Sequence, residues 1–220
     1  MENNPEVRMK EIKDSGSGQI FSSPALERLS KASPFVSVGV YLLIIAGLLM
    51  WAYAARVTSN AWTGLALFVG AYFSWTLFEY LFHRFVNHLD TFFPDSEAVR
   101  KFDYAIHGIH HEFPRDTKRL IMPPLPGTLI ILVLLGLFWL AMGAYVLVFM
   151  PGFLLGYLSY AFIHYATHAW KPPKARFLKA LWRHHALHHY KHPDKAFGVS
   201  TPIWDYVFRT MPPDRKKGTS

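Results

Sequence analysis

The sequence predicts an all-α integral membrane protein, with four transmembrane helices beneath a cytoplasmic helical cap that holds a histidine-rich dimetal site. Three observations carry that prediction. Long stretches contain no Asp, Glu, Lys or Arg; ten of the 12 histidines gather in four tight clusters just beyond the ends of those stretches; and Lys and Arg crowd to one side of them. At 220 residues the chain suits one domain, and 51% hydrophobic with 16% aromatic content is high for a soluble one.

Residues 32–55, residues 57–78 and the 51 residues from Leu120 to Trp170 carry no charged side chain. A spanning helix needs about 20 mostly apolar residues, so the first two stretches predict one span each and the third predicts two. Pro123, Pro124 and Pro126 break the chain before the third span. Either Gly143 or the Pro151-Gly152 pair marks the turn before the fourth. A turn at Pro151 leaves roughly 18 Å of helix before His164, which would sink that residue inside the bilayer face; a turn at Gly143 puts it at the interface. Trp51, Trp62 and Trp170 are expected as interface anchors. The run Tyr72, Phe73, Trp75, Phe78, Tyr80 and Phe82 reads as packing or an aromatic belt in preference to the lining of an acyl tunnel.

The spans and their cap occupy residues 35–210. Residues 1–34 read as an N-terminal cytoplasmic tail, polar with Ser-Gly-Ser-Gly at Ser15 to Gly18 and mobile over its first 15 or so residues, with a short interfacial helix around Ile20 to Leu29. Residues 211–220 read as a basic, solvated tail containing Arg215, Lys216 and Lys217. The N-terminal segment lacks the short apolar core and small-residue cleavage site of a secretory signal.

Of 23 Lys and Arg, five precede the first span, six lie between Arg84 and Arg119, eleven follow Trp170, and only Arg56 falls on the opposite side. By the positive-inside rule, both termini, the central segment and all four histidine clusters are expected on the cytoplasmic face, of a bacterial inner membrane or the endoplasmic reticulum. The formal charge of +8 is accounted for by this topology and by anionic headgroups, so no nucleic-acid partner is expected. Zero cysteines exclude disulfides, iron–sulfur clusters and thiolate ligands.

The clusters are His83 and His88; His107, His110 and His111; His164 and His168; and His185, His188 and His189. Neutral imidazole binds iron, zinc and copper well, and ten exceed what one ion can take, so two metals are expected. Three clusters place pairs three or four residues apart, on one helical face. His83 and His88 diverge by roughly 140° on a helix and need a helix end or two different metals. Metal ligands need partners that orient the second ring nitrogen. Glu79, Asp103, Glu112, Asp116, Asp194 and Asp205 lie nearby in sequence; Glu79 stands out, four residues before His83 near a span end, where an unpartnered acid is costly.

The segment His107-Gly-Ile-His110-His111-Glu-Phe-Pro114-Arg-Asp116-Thr-Lys-Arg119-Leu120-Ile-Met-Pro123-Pro124 resembles the signature of the fatty acid 2-hydroxylases, within the membrane-bound fatty acid hydroxylase and sterol desaturase superfamily. Glu79-Tyr80-Leu-Phe-His83-Arg84-Phe with His88 fits the first box of that family. His185-Ala-Leu-His188-His189-Tyr190-Lys191, followed by Phe197-Gly198-Val199-Ser200 and Trp204-Asp205, fits its last. The resemblance runs from about Phe21 to Thr210.

It implies two iron ions held by His83, His88, His107, His110, His111, His164, His168, His185, His188 and His189, with His184 and His192 outside the ligand set. Zinc is expected to fill such a site after overexpression, because affinity order does not favour Fe(II). The implied reaction uses O₂ and two electrons to hydroxylate carbon 2 of a long-chain fatty acid or of the acyl chain of a ceramide-type sphingolipid. Breaking an unactivated C–H bond exceeds acid–base chemistry and calls for a redox cofactor. Residues 1–34 are too short for the cytochrome b5 domain fused to many eukaryotic members, so a separate donor of cytochrome b5 or ferredoxin type is expected. Oxidation of a sterol or carotenoid is the alternative; the Pro-x-Asp-x-x-Arg-Leu run at 114–120 argues against it. Metal transport or sensing fits poorly, since a transporter places polar residues along a path through the bilayer and these spans are nearly bare of ionisable groups away from one face.

Overall fold

The computed structural model describes residues 12, 13 and 15–213. The basic run Arg215, Lys216, Lys217 and most of the expected mobile N-terminus lie outside the described residues. The described chain is all helix and connecting turn: α1 (Pro24–Leu29), α2 (Pro34–Ala54), α3 (Ala61–Phe85), α4 (Glu97–Asp103), α5 (Ile109–Glu112), α6 (Pro124–Met142), α7 (Val146–Ala169), α8 (Arg176–Tyr190) and α9 (Ile203–Val207). One π-helical turn, Tyr104–Gly108, joins α4 to α5.

Among the described residues three helical stretches, not the four expected, are long and apolar enough to cross a membrane: Pro34–Ala54, Ala61–Phe85 and Pro124–Ala169, with mean hydropathies of 2.3, 1.4 and 2.5. The chain is a multi-pass membrane protein. Its apolar side chains do not turn inward as in a soluble bundle. Phe35, Leu43 and Leu140 are 87%, 75% and 84% exposed, surfaces that only a lipid solvent leaves uncosted.

The third stretch of 46 residues is broken. Gly143 adopts φ +58°, ψ −141°, a left-handed backbone open to glycine without a Cβ penalty, and a single 3₁₀ turn, Gly143–Tyr145, follows it. The arms α6 and α7 run antiparallel: the Phe138 ring meets Phe149 and Phe153 at 5.2 and 5.6 Å, and the Met122 N–H donates to the Tyr157 hydroxyl at 3.2 Å. Of the two turn positions left open by the sequence, the structure takes Gly143, and Pro151 sits inside α7. Pro124 opens α6, where its missing N–H is an orphan in any case.

Helix α7 is central. It buries residues along its length, from Val146 to Ala166, against α2 and α3. Close approach to α3 depends on Gly152 and Gly156, a small-xxx-small pair: a Cβ at Gly152 would lie 2.1 Å from the Phe68 carbonyl oxygen, and one at Gly156 would lie 2.5 Å from Trp75 Cβ. Trp75 fills the seam with Phe153, Tyr157 and Tyr160 at ring separations of 5.0, 5.3 and 5.9 Å. Packing therefore claims the middle of the aromatic run, while Phe73 is exposed. Trp51, Trp62 and Trp170 are exposed near helix ends, as anchors should be.

The segment read as a free N-terminal tail is not free where it is described. Lys13 donates its backbone N–H to the Glu112 carbonyl at 2.8 Å, and Gly18 packs under Phe113 and Ile109 so closely that a Cβ there would meet them at 2.7–2.9 Å. Of the expected helix from Ile20 to Leu29, only Pro24–Leu29 is helical.

Replacing Gly152 by Val should force α7 off the Phe68 carbonyl and cost about 1–3 kcal/mol, as overpacking does. Gly47→Ala, which would meet nothing within 4 Å, should leave stability unchanged or raised. Thermal unfolding of the two variants in detergent checks this; equal melting temperatures would refute the close α3–α7 seam.

Candidate metal centre

All four histidine clusters converge at one end of the bundle. His83 lies on the last turn of α3, and His88 lies beyond the end of that helix; the helix end thus resolves their awkward spacing. His164 and His168 lie near the end of α7. The π-helical turn and α5 carry His107, His110 and His111, and α8 carries His185, His188 and His189.

The ten rings form two groups of five. His83, His88, His107, His111 and His188 make one; His110, His164, His168, His185 and His189 make the other; within each, one nitrogen per ring lies within 4.8 Å of all the rest. The sequence clusters are therefore not the spatial groups. The i,i+4 pairs 107/111, 164/168 and 185/189 each stay together, whereas His110 and His188 cross to the other side. A helix running between the groups turns one stripe to each of them. The groups touch through the stacked rings of His111 and His189, 4.1 Å apart at 18°.

Backbone carbonyls set the tautomers. His83 Nδ1 faces the Phe197 carbonyl at 2.6 Å, His188 Nδ1 faces that of Lys195 at 2.7 Å, and His164 Nδ1 faces that of Leu120 at 3.1 Å. A carbonyl only accepts, so each Nδ1 carries the proton and each Nε2 turns a lone pair inward. Those Nε2 atoms meet other imidazole nitrogens: His83 to His107 at 3.1 Å, His88 to His188 at 3.2 Å, His110 to His164 at 2.9 Å. His189 is buried with neither ring nitrogen bonded to protein, and Nδ1 of His110 and of His185 is likewise without a protein partner. Buried polar atoms of this kind require an explanation; metal coordination accounts for one nitrogen of His189, whereas His110 and His185 turn Nε2 toward the other rings and their Nδ1 outward. The donor set fits a pair of transition-metal ions.

Charge supports the same reading. Burial, reinforced by neighbouring imidazoles, pushes His107, His110, His111, His185, His188 and His189 well below the ordinary imidazole range. These rings are neutral at pH 7, the state that binds metal.

The acids proposed to orient imidazoles act one step further out. Glu79, 4% exposed, accepts the backbone N–H groups of Val199 and Ser200 at 2.7 and 2.8 Å and the Ser200 hydroxyl. Asp205, fully buried, accepts Phe197 N–H at 2.9 Å, Gly198 N–H at 2.8 Å, the Thr210 hydroxyl at 2.7 Å and His184 Nε2 at 3.0 Å. Together they pin residues 197–200, the loop whose Phe197 carbonyl orients His83. His184 belongs to that support and to neither group. Asp116 and Glu112 bond the N-terminal segment instead, through Ser17 at 2.5 Å and Lys13 at 2.7 Å; Asp194 is exposed. Sequence reasoning missed the carbonyls of Leu120, Lys195 and Phe197, since a backbone atom leaves no mark in composition. It also missed Thr210, which receives the Tyr80 hydroxyl at 2.9 Å.

The sequence profile of the fatty acid hydroxylase family matches residues 67–210. Fatty acid 2-hydroxylase of Homo sapiens is 38% identical over 170 residues, covering 74% of this chain and 43% of that protein. The dihydroceramide fatty acyl 2-hydroxylase FAH2 of Arabidopsis thaliana is 39% identical over 141 residues, covering 63% and 57%. The chain thus spans less than half of its human relative and somewhat over half of the plant one. A solved structure, full-length scs7p with only the hydroxylase domain visible, superposes with a TM-score of 0.75 at 30% identity, covering 90% of this chain and 73% of that one. The family profile, the shared fold and the two five-imidazole groups agree, and the chain belongs to the fatty acid hydroxylase family.

Proposed function

We propose that this protein uses O₂ to hydroxylate carbon 2 of a long acyl chain, carried as a free fatty acid or within a ceramide-type lipid. The observation that carries this reading is the assembly of ten imidazoles, seven of them buried, into two groups of five beside apolar helices. Names of relatives supply the substrate class: a fatty acid for the human protein and a dihydroceramide acyl chain for the plant one.

His83, His88, His107, His111 and His188 would hold one ion; His110, His164, His168, His185 and His189 would hold the other. Bound iron would supply the one-electron and O₂ chemistry that breaking an aliphatic C–H bond demands. All other roles fall to the chain. The carbonyls of Phe197, Lys195 and Leu120 hold the Nδ1 protons of His83, His188 and His164, so these rings need no tautomer change to bind. Glu79 and Asp205 keep the 197–200 loop over the site, and the apolar bundle beneath offers the acyl chain a lipid-like approach. Zinc would fit the same nitrogens, so a zinc-loaded preparation is compatible with an iron enzyme.

The antiparallel α6–α7 pair, turned at Gly143, supports a hairpin and hence four crossings, with His83, His164 and His168 at one membrane face. The concentration of Lys and Arg on that side supports its being cytoplasmic. Electrons would reach the site from a separate donor of cytochrome b5 or ferredoxin type.

Lipid mass spectrometry of cells with and without the gene tests the reaction. A 2-hydroxy acyl pool should appear with the intact protein and be absent with His188→Ala; an unchanged pool alongside an altered sterol or carotenoid profile would replace this reading with the other oxidase chemistry of the superfamily. Asp205→Ala, which deprives two buried N–H groups of their acceptor, should lower metal affinity by about 10–100-fold, the usual cost of losing an outer partner. Competition with a graded series of chelators measures it, and wild-type retention in the variant would remove Asp205 from the metal site's support.

A further inference from the structure

The N-terminal segment makes an unusually complete set of bonds for a polar tail containing Ser-Gly-Ser-Gly. Lys13 reaches the Glu112 backbone at 2.8 Å and its carboxylate at 2.7 Å. Ser17 donates to Asp116 at 2.5 Å. Ala32 N–H donates to the Lys118 carbonyl at 3.0 Å. Between these contacts lies Arg119, whose side chain is 4% exposed. Its guanidinium pairs with Glu27 and with Asp116 at 3.3 Å, and donates to the Gly18 carbonyl and the Ser30 hydroxyl, both at 2.9 Å. Glu27 in turn accepts the Ile20 and Phe21 N–H groups at 2.9 and 3.1 Å, folding the segment back on itself. Burial alone would raise the Glu27 carboxyl, but those N–H groups, Lys31 and Arg119 outweigh it and hold it down at about 2; it is ionised at neutral pH.

The clamped stretch, residues 109–120, gives the second histidine group one of its five rings and the carbonyl that orients another. It carries His110, and it ends on Leu120, whose carbonyl orients His164 at 3.1 Å. The first group takes only His111 from the same stretch. We infer that Lys13 and residues 15–32 form a strap, locked by Glu27 and Arg119, that positions His110 and His164 and so sets the metal affinity of the group His110, His164, His168, His185 and His189. Glu27 and Arg119 are positioning residues: neither touches the nitrogens of the groups. This inference rests on the dimetal reading above, and it goes beyond that reading in assigning the N-terminal segment a part in one group and not the other.

The test uses the full chain with Glu27→Ala, Glu27→Asp and, as a destabilised control remote from the strap, Leu48→Ala. Metals per chain are counted by mass spectrometry after equilibration with graded chelators. In Glu27→Ala one of two metals should be lost at 10–100-fold lower chelator strength while the other is kept; Glu27→Asp should restore most of the difference; and Leu48→Ala should lower the melting temperature without selective loss. Hydrogen exchange across residues 109–120, read in metal-free protein, should quicken at least tenfold in Glu27→Ala. Wild-type exchange with both metals held equally, or equal weakening of both metals, would overturn the strap. A wild-type protein that binds no metal would overturn the dimetal reading and the assigned affinity effect with it, while the exchange result would still decide whether the strap orders residues 109–120.

Discussion

Ten imidazoles, seven of them buried, can be packed in mutual contact only while they stay neutral and most ring nitrogens have somewhere to place a proton or a lone pair. That constraint organises this structure. Protonating even a few rings would set positive charges a few ångströms apart in a dry interior, where the repulsion is large. Backbone carbonyls of residues 120, 195 and 197 take three of the protons, and inward lone pairs converge on two points. Much of the cap can be understood as the apparatus that holds those carbonyls still: Glu79 and Asp205 under one loop, Arg119 behind the other.

The membrane bundle answers a different demand, and the two meet in α7. One end of that helix is packed by glycines against α3, with no room for a Cβ at residues 152 and 156. The other end presents His164 and His168. A rigid seam thereby fixes the height of two ligands relative to His83 on α3. Two kinds of solvent, lipid around the helices and water around the cap, are separated within a few helical turns.

How much of this was legible in the sequence follows from what side chains advertise. Uncharged runs announced the membrane stretches, and imidazole spacing announced the ligand set. Gly143 stood out as a turn, but the choice between it and Pro151 depended on how α7 packs. The partition of the rings was hidden, because adjacent ring positions such as His110 and His111 or His188 and His189 end up in different groups, and i,i+3 neighbours look like one face until the helix is seen to lie between two targets. Glu79 was legible as important and misread in its role: it holds Val199 and Ser200, 120 residues away, instead of an imidazole. The contacts of the N-terminal segment were hidden as well, since Ser and Gly at 15–18 say nothing of Phe113 and Ile109, which leave Gly18 no space for a Cβ.

Helix α8 supplies three of the ten rings, and its His188 meets His88 across 100 residues of sequence. A chain emerging from the ribosome therefore presents the bundle and seven histidines well before α8 arrives, and the segment at 195–200, whose Lys195 and Phe197 carbonyls fix two of the ring orientations, is made later still. Closing such distant contacts is slow by nature. The centre can only be completed after α8 and the segment at 195–200 have been synthesised, which makes ion delivery a late event and leaves the half-built bundle with a cluster of open nitrogens at the membrane surface in the interval.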